Sequence, residues 1–107
     1  MCIAATPAVP YYAVIFTSNR TTVDAGYETM AAAMVRLAAE QPGFLGIESA
    51  SDSIGITVSY WESLEAIAAW QRNSAHLIAQ QRGREMWYHE FKTRVCRVER
   101  DYGFNRE

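Results

Sequence analysis

Cysteine is scarce in this chain of 107 residues: there are two, Cys2 near the start and Cys96 near the end. With no CxxC pair and no Cys/His cluster, neither a disulfide framework nor a zinc site is indicated. Both thiols are read as free, as in a reducing cytoplasm. An excess of positive charge is also missing, since ten Lys and Arg stand against twelve Asp and Glu. That balance excludes the electrostatic footprint of a nucleic-acid binder. The basic residues of the last third (Arg82, Arg84, Lys92, Arg94, Arg97 and Arg100) alternate with Glu85, Glu90, Glu99 and Asp101, so they read as a solvated, salt-bridged surface. No apolar run approaches the roughly 20 residues of a membrane span. The opening MCIAATPAVP lacks the basic start and the apolar length of a signal peptide. A cytoplasmic protein with no membrane partner is expected. No P-loop, GxGxxG fingerprint or Ser-His-Asp set is present.

What is there suits one small domain, half of it hydrophobic. Residues 1–9 are expected to be a flexible tail and 10–107 a single domain. Tyr11 to Ser18 is aromatic and β-branched and reads as a strand apolar on both faces. Asp24 is the expected N-cap of a helix whose stripe runs Tyr27, Met30, Met34, Leu37 and Gln41, a spacing that ordinarily means core. Pro42 and Gly43 stop it. Phe44 to Ala50 and Ile54 to Trp61 read as a hairpin about Ser51-Asp52-Ser53. Ser63 caps a second helix with Leu64, Ile67 and Trp70 on its buried side. That helix breaks near Asn73 and Ser74 and restarts with only a thin apolar line: Ala75, Ile78, Ala79 and Met86. The last run, Tyr88 to Arg100, alternates Phe91, Thr93 and Val95 against charged neighbours. Its apolar phase then shifts to Cys96 and Val98, which predicts a bulge or an exit from the sheet.

Strand, helix, strand, strand, helix pair, strand is the βαββαβ order of a ferredoxin-like α+β domain. It implies a four-stranded antiparallel sheet with its helices on one face. The uncovered face is substantially apolar, which predicts a homodimer formed sheet to sheet. The element order, Gln41-Pro42-Gly43-Phe44, the Tyr60-Trp61-Glu62-Ser63-Leu64-Glu65 junction and Trp70 together resemble the antibiotic biosynthesis monooxygenase superfamily. The resemblance spans about Tyr11 to Phe104. It implies a dimeric α+β barrel and includes cofactor-independent, quinone-forming oxygenases as well as haem-degrading enzymes.

Haem degradation is tested by residue. Trp70 matches the haem enzymes' tryptophan, but Gln80 stands where their ligating histidine belongs, and the first strand has no asparagine. The leading expectation is therefore a monooxygenase acting without metal or cofactor on a small aromatic or quinol-like molecule and dioxygen. The alternative is a non-catalytic ligand-binding or stress-related protein of the same fold; isomerase or decarboxylase chemistry would need the same positioned base. His76 and His89 are the only residues of the type that can serve as a base near neutrality. His76 is the candidate base, and His89 is read as surface. Trp61 and Trp70 are candidate walls, with Tyr12 or Tyr60 beside them, and Gln80 and Arg84 are candidates to hold a phenolate. Any lid and one wall should come from Tyr60 to Tyr88.

Overall fold

The computed structural model describes residues 2–106, the side chain of Ser74 excepted. Strand β1 (Tyr11–Arg20) leads to helix α1 (Tyr27–Ala39) and the hairpin β2 (Phe44–Ser51) and β3 (Gly55–Trp61). Helices α2 (Leu64–Arg72) and α3 (Ser74–Arg82) follow, then a single π-helical turn (Gly83–Trp87) and β4 (Tyr88–Val98). All neighbouring strands are antiparallel, in the order β2-β3-β1-β4. This is the ferredoxin-like α+β arrangement.

Register decides what each face carries, because paired residues point the same way and successive residues opposite ways. Tyr12 pairs with Trp61, Val14 with Ser59 and Phe16 with Thr57. This is the helix-covered face, where Ala38, Trp61, Ile67 and Trp70 form the buried core with Tyr12, Val14, Leu37 and Phe44 packed round them. The other face carries Ala13 opposite Tyr60 and Ile15 opposite Val58.

The N-terminal segment returns to that second face. The Ala4 amide donates to Glu48 at 2.9 Å, and the Thr6 hydroxyl donates to that of Tyr11 at 3.0 Å. Tyr11 in turn donates to Asp101, beyond the end of β4.

Three expectations need correction. Asp24 is not the N-cap of α1. Gly26, at φ 78°, holds that position without a side-chain cap, and Asp24 instead pairs with Arg20 at 3.0 Å. Leu64 is 50 % exposed, because Ile67 and Trp70 supply the buried side of α2. The phase shift in β4 is not a bulge. Pairing with β1 runs unbroken from Val98 to Glu90, and the irregularity lies between Asn19 and Arg20. Phe91 and Val95 share a face with Ser18 and Val14, under the helices, while Cys96 and Val98 share one with Ala13 and Tyr11. Which side of the strand needs apolar residues changes along its length.

Ser63 does cap α2, accepting from the Ala66 amide at 3.0 Å. Gly43 ends the α1 link at φ 86°, and a Cβ there would lie 2.7 Å from that of Ala66. Gly43→Ala should therefore cost about 1–3 kcal/mol, from backbone strain plus the displaced helix. A urea denaturation midpoint unchanged from wild type would contradict this.

Candidate functional site

Between the sheet and the helices the chain leaves a cavity of about 540 Å³, within the range of small-molecule sites. Its floor is unusual for the inner face of a sheet. Ser18, Ser49, Thr57, Ser59 and Thr93 come from all four strands and all reach it. Small hydroxyl side chains cannot fill the space under two helices as leucine or isoleucine would, so the face stays open and hydrogen-bonding. The roof is apolar: Tyr27, Met30, Ala31 and Met34 from α1. The stripe expected to be close-packed core is thus largely a cavity wall, and only Ala38 of α1 is buried.

The far wall is built round Asn73. Its backbone amide donates to the Trp70 carbonyl at 3.0 Å, ending α2. Its side-chain oxygen accepts from the amides of Ala75 (3.0 Å) and His76 (3.3 Å), starting α3. One asparagine therefore breaks the helix and caps its continuation, placing His76 in the first turn. The imidazole stacks on the Trp70 indole with centroids 4.4 Å apart and planes 19° apart. Behind it Trp70 stacks on Trp61 at 6.1 Å.

His76 and Trp70 both line the cavity. Burial of the imidazole pushes its pKa below the ordinary 6.5, and a polar contact with the Trp70 backbone partly opposes the shift. Nδ1 is buried, with no hydrogen-bond partner among the described residues. Buried polar atoms are usually paired, so this nitrogen stands out. Gln71 and Gln80 lie on the same wall.

The opposite end is aromatic. The Tyr88 hydroxyl donates to that of Tyr27 at 3.4 Å, and Phe16 and Phe91 pack edge-on or tilted against Tyr88 and each other. Burial, chiefly, raises the Tyr88 pKa well above the ordinary 10.0, so its phenol stays protonated. The Arg20 guanidinium lies 3.3 Å from the Tyr27 ring centroid.

Of the residues singled out from sequence, the structure brings together His76, Trp70 and Gln80 on this cavity. It places the others elsewhere. Trp61 is fully buried behind Trp70, its Nε1 donating to Ser59 Oγ at 2.9 Å. Tyr12 packs against the core cluster beside it. Tyr60 lies on the opposite face, donating to Glu48 at 2.7 Å, with burial the main cause of a pKa pushed up to about 12. Arg84 is exposed, 5.7 Å from the Phe91 ring centroid. His89 is exposed as well. Sequence reading missed Tyr27, Tyr88 and the hydroxyl floor. The available signal was the alternation Gly55, Thr57, Ser59, a polar row where a two-sided core strand would be apolar.

Comparison with known proteins follows the same lines. A family model described as antibiotic biosynthesis monooxygenase matches residues 10–82. The chain is 50 % identical over 97 residues to the uncharacterized protein YqjZ of Bacillus subtilis (strain 168), covering 89 % of this chain and 85 % of that one. Its fold is similar to that of SnoaB from Streptomyces nogalater, a cofactor-independent oxygenase. The TM-score is 0.70 at 12 % identity, over 92 % of this chain and 100 % of that one. Rv0793 from Mycobacterium tuberculosis gives a TM-score of 0.75 at 12 % identity, over 88 % and 99 % of the two chains. At such identities these two structures bear on the fold alone.

Proposed function

Since the chain belongs to the antibiotic biosynthesis monooxygenase family, we propose that it oxygenates a small phenol to a quinone with dioxygen, using its own side chains and no metal or organic cofactor. The observation that carries this reading is the His76 imidazole, set in the cavity wall and stacked on Trp70. The neutral ring offers the lone pair of its unprotonated nitrogen to a phenolic hydroxyl. Burial keeps the ring neutral at pH 7. Trp70 at its back offers an aromatic surface to a planar substrate.

His76 takes the phenolic proton, and the resulting phenolate passes one electron to dioxygen. Superoxide and the phenoxyl radical then combine at the carbon para to the oxygen. His76 returns its proton to the peroxide so formed. The para hydrogen leaves as a proton, the oxygen–oxygen bond breaks, and hydroxide departs with that proton as water. Phenol and dioxygen thus give quinone and water: four electrons leave the ring and four reduce the two oxygen atoms. The protein's part is to deprotonate, to orient, and to keep bulk water from the charged intermediates.

Outside the cavity, the second sheet face carries Ile15 and Val58 as an apolar centre. We read it as the surface on which a second copy packs, consistent with the expected homodimer.

The test is oxidation of 1-naphthol under isotope-labelled dioxygen. One labelled oxygen per molecule of 1,4-naphthoquinone, at a rate well above the protein-free reaction, is the expected result. Quinone carrying no label, or no acceleration, would remove this function.

A further inference from the structure

Ser59 and Trp61 alternate with Tyr60 on β3, so their side chains leave the same face of the sheet. The indole is fully buried, and its one polar group, Nε1–H, donates to Ser59 Oγ at 2.9 Å. That bond makes Ser59 an acceptor and decides what is left for it to do. A serine hydroxyl has a single proton to donate, and the proton of Ser59 has no acceptor among the described residues. Register explains why. Its neighbours across the strands are Val14 on β1 and Ile47 on β2, whose side chains hold no polar atom. Thr57, the next residue on that face of β3, stands about 7 Å along the strand.

Ser59 lines the cavity, as does Trp70, on which Trp61 stacks at 6.1 Å. Trp61 thus backs both the hydroxyl and the aromatic wall. An O–H that already accepts a hydrogen bond is polarised by it and donates more strongly. Water is a poor partner here, since an ordered water needs two to four polar contacts and the row offers hydrocarbon on both sides. A carbonyl oxygen suits the place better: it accepts one bond and brings no proton of its own to satisfy. Thr57 also reaches the cavity, but no hydrogen bond among the described residues fixes its hydroxyl.

We propose that Ser59 is a ligand-binding residue: positioned by the Trp61 indole, it donates its hydroxyl proton to a carbonyl oxygen on an aromatic ligand. This inference rests on the reading of the cavity as a site for planar aromatic molecules. It does not depend on the oxygenation chemistry or on the role of His76. Trp61 enters it as a positioning residue, which gives a buried core tryptophan a second consequence besides stability.

The test uses 9-fluorenone and fluorene, planar molecules that differ only in the carbonyl. Tryptophan fluorescence gives their affinities. Infrared difference spectroscopy gives the carbonyl stretch of bound fluorenone, which a donated hydrogen bond moves to lower wavenumber than in hydrocarbon solvent. Wild type should show the lowered band. Ser59→Ala should return it to the hydrocarbon position and weaken fluorenone about fivefold, the worth of one neutral hydrogen bond. Fluorene should change less than about twofold. Ser59→Cys keeps an acceptor for the indole N–H while donating only weakly, and should lose most of the shift as well. Thr57→Val should leave the band in place. A band that is unshifted in wild type, persists in both Ser59 variants or is lost in Thr57→Val overturns the assignment of Ser59 while the aromatic cavity stands. If wild type binds neither probe, the aromatic reading of the cavity falls and the assignment falls with it.

Discussion

His76→Gln should lower turnover of 1-naphthol by about two to three orders of magnitude, the usual worth of a positioned general base. Glutamine retains a polar group of similar reach beside Trp70, so the cavity keeps its shape while the base is lost. Michaelis constants should change much less than turnover, because stacking on Trp70 and the roof from α1 carry most of the apolar contact. Steady-state oxygen consumption measures both. Turnover within about threefold of wild type would mean that the imidazole is not the base, whatever its place in the wall. His76→Ala would give a less readable result, since it also removes a ring stacked 4.4 Å from Trp70.

Trp61→Ala should destabilise the fold by about 3–5 kcal/mol, the range for emptying an aromatic site in a packed core. The side chain is fully buried, meets Phe44 edge to face at 5.4 Å, and backs Trp70. Its removal opens a hole at the junction of β3, α2 and the start of β1. It also takes away the indole N–H that Ser59 accepts. Domains of this size hold only about 5–15 kcal/mol in total, so the variant should stay folded at low temperature and melt far earlier. Equilibrium urea unfolding gives the number. A loss under about 1 kcal/mol would show that the core is centred elsewhere.

These two residues mark what the sequence made legible and what it did not. Ser63 before an apolar periodic run, Pro42-Gly43 after another, and short β-branched segments between turn residues are local signals. They led to the right elements in the right order. The family resemblance rested on the same stretch about Trp61 and Ser63.

The site was legible only in part. His76 and Trp70 share a wall because Asn73 breaks one helix and caps the next, and a break with a capping residue can be read from sequence. Trp61 and Tyr60 could not be assigned to sides from alternation alone. Both phases of that strand carry aromatics, and only the register, Tyr12 to Trp61 and Ala13 to Tyr60, decides between them. Tyr27 and Met30 looked like core because spacing reports which way a residue faces, not whether the space opposite is filled. What empties that space is a set of serines and threonines on four different strands, a pattern that exists only once the sheet is assembled.

The pH dependence of 1-naphthol oxygenation tests the central claim most directly. A base whose pKa is depressed by burial stays deprotonated to lower pH than a free imidazole. Wild-type kcat/KM should therefore rise through an apparent pKa below 6.5 and hold level through neutrality. In His76→Gln that limb should vanish, leaving a low, flat profile over the same range. A limb that survives in His76→Gln, or a wild-type profile rising only above 6.5, would contradict the assignment of His76 as the base.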